Sequence, residues 1–338
     1  MSRFDKIKAL AGSKLCHALL GVLVSLAVLI YVGLSVEWHL VLEHLRTINY
    51  LALFPVLALL IVHYYLRALR WRYLLPAPHD APVRPLYDAI MVGNFASYVF
   101  PLRAGEFIRP WLLTRDYKCS FASAFVSVVV ERFFDLSIVL MSFAGVVFLV
   151  PGMPDWVFSG AMALSTLAGA ILVFIVLGSM APDFIARVIS FFIKPLPAGP
   201  GRALEKFLLD LLRGVAVLKS GGNLFRVVLL SLLVWATCYG SFYTFFWLFN
   251  IESSWLICVS LGVIVALAVA APSAPGFIGV YEGSLVAGMQ LFGLSAELGA
   301  AYALVTHFIL YVIFVGYAIW YLWRNSMGIS DLRRAGQR

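Results

Sequence analysis

In a chain of 338 residues, 62% of the side chains are hydrophobic and only 12% are charged. Soluble domains carry roughly 25% charged residues, so most of this chain is excluded from water. The net charge of +8 would suit nucleic acid in a soluble protein, but in a membrane protein the basic residues follow the topology instead. We therefore predict an all-α polytopic membrane protein that binds no nucleic acid.

The N-terminal apolar run, residues 15–36, follows a basic stretch, as the apolar part of a signal peptide does. It is too long for a signal peptide, and no small-residue cleavage site follows it. Because about 20 apolar residues cross a ~30 Å hydrocarbon core, the run is predicted to be an uncleaved first span. Five further runs have the length of a span: residues 50–66, 121–150, 156–179, 224–249 and 298–323.

Two other apolar stretches, residues 86–117 and 255–292, are interrupted in the middle by Pro and Gly, which break helices and free backbone groups. Each is predicted to be a re-entrant helical hairpin, the first entering from the cytosol and the second from outside. The predicted hairpin tips hold Pro101 and Gly105 in the first stretch, and Pro272, Pro275, Gly276 and Gly279 in the second.

The charges support a topology with both termini in the cytosol. It places nearly all of the 25 Lys and Arg on the cytosolic side or in the first hairpin, with Arg46 outside and Arg132 within a helix. Residues 1–150 and 155–324 then have the same order of elements in opposite orientation. This arrangement is the inverted-topology repeat of many secondary transporters. Residues 325–338 form a basic cytosolic tail.

A basic segment, residues 181–222, is inserted in the second repeat and is predicted to be cytosolic. Apolar residues recur in it at helical spacing, from Leu204 to Leu218, opposite Arg202, Lys206, Arg213 and Lys219. This pattern predicts an amphipathic helix lying on the inner leaflet. A linker packed under the helix bundle is an equally good interpretation.

Charged residues lie at and just after the tip of the first hairpin. Burying a charge in the membrane costs several kcal/mol unless it is paired or hydrated, so such residues are functional candidates. Arg103 and Arg109, near a half-helix N-terminus, are suited to bind a phosphate, and Glu106 is placed to orient either guanidinium. Asn94 and Arg132 join this candidate headgroup site. In the alternative, both arginines extend to the inner headgroups.

A polar stripe follows on the next predicted span, where Ser123, Ser127, Glu131 and Asp135 are spaced at i,i+4. The stripe is predicted to line a polar cavity, and its carboxylates are candidates for proton coupling. The alternative is structural, because Arg132 at i,i+3 from Asp135 would neutralise it.

Glu282, one helical turn after Gly279, is a second candidate for proton coupling. His307 is an isolated histidine in an apolar helix, as is His63, and it is a further candidate for the polar cavity and for proton coupling. In the alternative, each histidine forms an interhelical hydrogen bond instead of acting as a proton relay. Gly279, Gly283 and Ala287 form a ridge of small residues that predicts close helix packing.

Three short motifs carry a resemblance to a known family. They are Gly93-Asn94 with Pro101-Leu-Arg103-Ala-Gly105-Glu106-Phe-Ile-Arg109, then Glu131-Arg132-Phe-Phe-Asp135, then Ala274-Pro275-Gly276-Phe-Ile-Gly279-Val-Tyr-Glu282. Together they resemble the flippase-like membrane domain of lysylphosphatidylglycerol synthases, over nearly the whole chain. The third motif lacks the extra Gly that the family more often has after Pro-Gly.

The resemblance implies a stand-alone member of that family, many of which have no known substrate. The soluble aminoacyl-transferase domain of the bifunctional synthases is not found in this sequence, so lipid lysylation is not implied.

These observations favour a flippase that moves a lipid with an anionic, phosphate-containing headgroup, such as a phospholipid or a polyprenyl-phosphate-linked lipid, across the bacterial inner membrane. Membrane lipids are the expected partners, and lipid-biosynthesis enzymes are candidate protein partners. The alternative is an intramembrane enzyme acting on a lipid phosphate or a polyprenyl-linked sugar. No nucleophile with an adjacent base and no metal-ligand spacing occurs, so we expect no catalytic residue, metal or cofactor.

Overall fold

The computed structural model describes residues 21–75, 82–101, 103–117, 119–150, 155–194, 198–219, 221–271 and 273–335. Over these residues the regular elements are helices, with no strand among them, which confirms the all-α class. The start of the predicted first span, the N-terminus, Pro272 and the last three residues of the tail lie outside the described residues.

The described part of the chain contains fourteen α-helices. They are α1 Gly21–Ser35, α2 Trp38–Arg46, α3 Leu53–Leu74, α4 Val83–Val99, α5 Gly105–Asp116, α6 Phe121–Leu149, α7 Asp155–Met180, α8 Pro182–Ile193, α9 Ala198–Val215, α10 Gly221–Leu248, α11 Trp255–Ala270, α12 Val280–Leu291, α13 Ala296–Arg324 and α14 Ile329–Ala335.

Among the described residues, five helices are long and apolar enough to cross a membrane, namely α3 with the turn before it, α6, α7, α10 and α13. They coincide with five of the six predicted spans, so the chain is a multi-pass membrane protein. Of the predicted first span, residues 15–36, the structure describes the part that begins at residue 21. This part is α1, which meets α2 at an angle of 85°.

Helix α3 continues eight residues beyond the predicted end of the second span at Leu66. No Pro or Gly interrupts the sequence before Pro76, so the helix has no reason to end earlier. Arg67 and Arg70 therefore belong to the helix, and Arg70 is fully buried there. The predicted end of the second span, at Leu66, was therefore too early.

Both interrupted stretches are pairs of helices, as predicted. In the first, α4 ends at Val99 and α5 begins at Gly105. A Cβ on Gly105 would collide with the carbonyl oxygen of Gly93 and the hydroxyl of Ser97, so the chain doubles back onto α4 there. We refer to residues 100–104 as the first break.

The second stretch consists of α11 and α12, joined by residues 271–279, which we call the second break. Gly276 has a φ of 71° and Gly279 a φ of 87°, a region that residues with a Cβ rarely occupy. Helix α12 packs against α11, where a Cβ on Gly288 would meet Leu261. The helical interruption is confirmed in both stretches, and their re-entrant character stays a prediction.

The small-residue ridge of α12 packs against α1. A Cβ on Gly279 would meet the carbonyl oxygen of Ser25, and one on Gly283 would meet a methyl group of Val28. The prediction of close packing is therefore confirmed for these two glycines.

The basic segment predicted as one amphipathic helix forms two helices, α8 and α9, which pack against each other. Ile185, Ile189 and Ile193 from α8 and Leu212 from α9 form a buried cluster. Helix α9 also packs against α6 and α7. This contact supports the interpretation as a segment packed on the bundle.

The chain folds into two compact units that interleave along the sequence. The first unit comprises Met1–Leu59, Met91–Gly105 and Tyr239–Arg338, and the second comprises Leu60–Ile90 and Glu106–Cys238. These units do not follow the boundary near residue 150 between the predicted repeats. The repeats were defined by orientation in the membrane, so the inverted repeat remains a prediction.

Candidate functional site

Seven charged side chains of the second unit come together in what we call the charged cluster. They are Arg67 and Arg70 from α3, Glu106 and Arg109 from α5, and Glu131, Arg132 and Asp135 from α6. Glu131 and Asp135 are one turn apart and so share a face of α6.

Glu131 is the centre of this cluster and is completely buried. Arg109 donates to both of its carboxylate oxygens, at 2.9 Å to Oε2 and 3.4 Å to Oε1. Arg70 and Arg132 each lie 3.2 Å from Oε1, and Arg67 lies 3.4 Å from it. A single carboxylate thus contacts guanidinium groups from three helices.

Asp135 holds the other side of the cluster. It accepts hydrogen bonds from Arg70 at 2.7 Å and from the indole N–H of Trp235 at 3.2 Å. Its second oxygen lies 3.5 Å from Arg132, so the i,i+3 pair considered as an alternative is present. Buried charges supplied with several partners in this way are fixed in position.

The charged cluster has one accessible edge. The side chain of Arg132 is 40% exposed and that of Glu106 is 35% exposed, and the pair is separated by 3.8 Å. The other side chains of the cluster are no more than 13% exposed. A ligand that enters without rearrangement of the cluster therefore meets Arg132 and Glu106 first.

Several predicted residues meet in the charged cluster, but not with the predicted partners. Glu106 was expected to orient Arg103 or Arg109, whereas it pairs with Arg132, and Arg109 pairs with Glu131. Ser127 lies beside the cluster, where it accepts a hydrogen bond from the indole of Trp71 at 2.8 Å.

Four contributors to this region were not predicted from the sequence. They are Arg67, Arg70 and Trp71 on α3, and Trp235 on α10. The uninterrupted helical sequence after Leu66 was the available signal for the three residues of α3. Nothing in the sequence singled out Trp235 from the other tryptophans.

Arg103 and Asn94 belong to the first unit. The guanidinium of Arg103 donates to the carbonyl oxygen of Val269, at the end of α11, and lies 5.4 Å from the ring centroid of Phe277. Arg103 has a φ of 52°, a backbone conformation that its surroundings must hold in place. The buried amide nitrogen of Asn94 has no hydrogen-bond partner within the described part of the chain.

The two breaks therefore meet inside the first unit. Besides the contacts of Arg103, the ring of Tyr98 near the end of α4 lies 6.0 Å from that of Phe277. A Cβ on Gly276 would come within 3.1 Å of the carbonyl oxygen of Tyr98. Contact between the two predicted hairpin tips could not be predicted from the sequence.

A second polar group lies next to the breaks, around His307 of α13. Its Nδ1 is 2.5 Å from Oε1 of Glu282, and the other carboxylate oxygen accepts the backbone N–H of Gly279 at 2.7 Å. The rings of Tyr98, Tyr281 and Tyr311 surround the imidazole, with centroids 4.5–5.6 Å away. We call His307, Glu282 and these three tyrosines the histidine site.

The second isolated histidine, His63, has a different setting in the second unit. Its Nδ1 lies 3.1 Å from both the carbonyl oxygen of Val234 and the hydroxyl of Thr237 on α10. These contacts are those of an interhelical hydrogen bond.

An apolar cavity of about 320 Å³ lies between α6, α7 and α9. Its lining includes Val130, Phe133, Ile171, Phe174, Leu208 and Leu212. Val130 and Phe133 flank Glu131 and Arg132 in sequence, so the cavity and the charged cluster lie at the same level of α6. An apolar lining of this kind is suited to hydrocarbon rather than to a polar ligand.

Within the described ranges, no group of three or more His, Cys, Asp or Glu side chains is placed to hold a metal ion.

The sequence model of the family described as "Lysylphosphatidylglycerol synthase TM region" matches residues 18–316. No curated protein and no solved structure matches the chain.

Proposed function

The chain belongs to the family of the lysylphosphatidylglycerol synthase TM region, and on that premise we propose that it is a lipid flippase. Its substrate is a lipid with an anionic, phosphate-containing headgroup, which it moves between the leaflets of the bacterial cytoplasmic membrane. An ionic headgroup crosses hydrocarbon only at a large solvation cost, and a polar path through the protein removes that cost.

The charge balance of the charged cluster is the observation that carries this proposal. Four guanidiniums face three carboxylates, so the cluster has one positive charge in excess when all are ionised. Arginine binds phosphate through paired N–H donors in a planar fork. A phosphate monoanion at the accessible edge would balance the charge of the cluster.

The roles within the cluster follow from burial and pairing. Arg132 is the residue that contacts the headgroup, because its side chain is 40% exposed and its pairing with Glu106 is loose at 3.8 Å. Glu131 and Asp135 hold Arg70 and Arg109 in place beneath it, as positioning residues. The apolar cavity on the other side of α6 gives hydrocarbon a place at the same level.

The lengths of the interrupted helices support re-entrant hairpins. Helices α4, α5, α11 and α12 have 17, 12, 16 and 12 residues. At 1.5 Å per residue each is shorter than the ~30 Å hydrocarbon core. We include in the proposal the inverted repeat with cytosolic termini, in which the two breaks lie near the middle of the membrane.

Reconstitution in liposomes tests the proposal. A fluorescent phosphatidylglycerol in the inner leaflet is protected from an external quencher until the protein moves it to the outer leaflet. The rate at which the fluorescence is lost is measured. We expect Arg132→Ala to lower this rate roughly tenfold, because a charge-assisted hydrogen bond contributes about 1.5–3 kcal/mol. Arg226→Ala is the matched control, since Arg226 contacts Tyr73 and Asn223 outside the cluster.

The same vesicles distinguish the alternatives. A neutral diacylglycerol analogue should move no faster with the protein than without it. Equal rates for Arg132→Ala and wild type would remove the cluster as the headgroup site. Covalent change of the extracted lipid without movement between leaflets would instead establish an intramembrane enzyme.

A further inference from the structure

The histidine site contains a buried polar atom that its own structure leaves unsatisfied. His307 is 4% exposed and Glu282 is 8% exposed. Nε2 of His307 is buried and has no hydrogen-bond partner among the described residues. Buried polar atoms in folded proteins nearly always have a hydrogen-bond partner, so an atom without one requires an explanation.

The contact with Glu282 fixes the chemistry of that atom. A carboxylate only accepts hydrogen bonds, so Nδ1 of His307 carries a hydrogen when Glu282 is ionised. The neutral imidazole then presents a lone pair at Nε2. The orphan atom is therefore an acceptor that requires a donor or a proton.

The surroundings decide between those two occupants. Rings of Tyr98, Tyr281 and Tyr311 cover the imidazole, which leaves little space for a headgroup atom. A proton needs no space, and the imidazolium it forms is stabilised by the Glu282 carboxylate. Tyr311 is only half-buried, so the site lies one side chain below the surface of the unit.

Further charged and polar groups lie around the histidine site. Among the described residues, Arg103 is linked to the histidine site through ring contacts, since it lies over Phe277, whose ring packs against Tyr98. Thr306 accepts the hydroxyl of Tyr281 at 3.1 Å. Helix α1 contributes Ser25, which accepts from the backbone N–H of Ala274 in the second break.

We propose that His307 takes up one proton at Nε2 during each transport cycle, so that lipid movement is coupled to the proton gradient. The proposal rests on the proposed function of the chain and adds its energy source. The proton adds to the lone pair of Nε2, and no other bond is made or broken.

The contacts of the histidine site connect protonation of His307 to the structure of the second break. Glu282 binds His307 with one oxygen and, with the other, accepts the backbone N–H of Gly279, the residue just before α12. The hydroxyl of Tyr311 occupies the position where a Cβ on Gly276 would lie. A positive charge on His307 draws Glu282 away from Gly279 and so loosens the start of α12.

The protonation step is tested without any transport. The full-length protein with ¹⁵N-labelled histidine is placed in lipid nanodiscs and titrated by NMR from about pH 5 to about pH 8, the range in which histidine normally changes charge. The His307 signal is assigned by its loss in His307→Gln. We expect it to report one protonation, and a signal unchanged across this range overturns the proposal.

His63→Gln is the matched control, because His63 is also a histidine of an apolar helix but its Nδ1 has partners. It should remove a different signal and leave the titration of His307 as in the wild type. If the titrating signal disappeared in His63→Gln, it would belong to His63 and not to His307, and the proposal would be overturned.

Coupling is tested in the liposomes with fluorescent phosphatidylglycerol under an imposed pH gradient. With one proton per lipid, the steady-state ratio between leaflets should shift by up to about tenfold per pH unit. His307→Gln should show no shift. If the wild-type protein moves lipid but the ratio of lipid between the leaflets does not change with the pH gradient, the coupling is overturned and the flippase function is not. A His307 titration without any lipid movement overturns the flippase instead.

Discussion

Among single residues, Glu131 has the largest expected effect on stability. Its carboxylate is fully buried and faces Arg67, Arg70, Arg109 and Arg132. Removing one partner of a buried ion pair leaves the other charges uncompensated, at a cost of about 3–5 kcal/mol. We predict that Glu131→Gln lowers the free energy of unfolding by this amount, measured by thermal or denaturant unfolding in detergent.

Glu106→Gln is the control for this prediction. Its side chain is 35% exposed and its only ion pair given by the described residues, with Arg132, is long. Such exposed pairs contribute about 0–1 kcal/mol. Similar losses of stability in both variants would contradict the central place given to Glu131.

At this scale the sequence indicated which residues are charged and intramembrane, but not their pairing. The i,i+3 relation of Arg132 and Asp135 could be predicted because both lie on one helix. The pairs of Glu131 with Arg109 and Arg70 join different helices. A single sequence has no periodicity that reports contacts between helices, so Glu106 was assigned to the wrong arginines.

At the scale of helices, the contact of α12 with α1 depends on a missing side chain. A Cβ on Gly283 would collide with a methyl group of Val28. Overpacking of this kind costs about 1–3 kcal/mol. We predict that Gly283→Ala destabilises the protein by this amount in detergent, and that Val28→Ala in the same chain restores most of the loss.

Gly316→Ala on α13 serves as the matched control. No atom lies within 4 Å of the position that its Cβ would take. The substitution should leave stability unchanged or raise it by up to about 1 kcal/mol, since Ala favours a helix more than Gly does. Failure of Val28→Ala to rescue Gly283→Ala would show that the two helices do not meet at these residues.

Helices were predicted well where the hydrophobic run was long and bounded by Gly, Pro or charge. Helix α6 was predicted to within one residue at its end, and both breaks were located by their Pro and Gly residues. The end of α3 was missed because hydrophobicity falls at Arg67 while helical propensity continues. The short helices α2 and α8 escaped notice because an element of 9 or 12 residues gives a weak periodic signal.

For the whole molecule, the predicted topology places residue 252 outside and residue 219 in the cytosol. We predict that a membrane-impermeant maleimide labels Glu252→Cys in right-side-out vesicles, in a background with the four native cysteines replaced. The side chains of Glu252 and Lys219 are both exposed, so whether the reagent reaches either position depends on the side of the membrane on which it lies. Lys219→Cys should be labelled only after permeabilisation, and the reverse pattern would overturn the topology.

A chain that keeps Cys119, which precedes α6, as its only cysteine gives a comparison for the labelling. Burial raises the pKa of the Cys119 thiol. Less of it is then the reactive thiolate at neutral pH, so Cys119 should be labelled more slowly than Lys219→Cys after permeabilisation. Equal rates would indicate that Cys119 is more accessible than its partly buried position implies.

The interleaved units mark the limit of sequence reasoning at this scale. Each unit is built from segments far apart in the chain, such as Met91–Gly105 and Tyr239–Arg338. Topology follows from charge and hydrophobicity, which are local properties. Spatial grouping depends on which helix faces fit together, and residue types alone do not encode that.

Glu282 divides its two oxygens between the start of α12 and the ring of His307. A glutamine at this position would keep the bond to Gly279 through its carbonyl oxygen and offer an N–H₂ to Nδ1. The imidazole would then carry its hydrogen on Nε2, and the buried face of the ring would change from acceptor to donor. One exchange of oxygen for nitrogen would thus reverse the polarity of the site, so any relative with glutamine there should select an anion or a carbonyl oxygen in place of a proton.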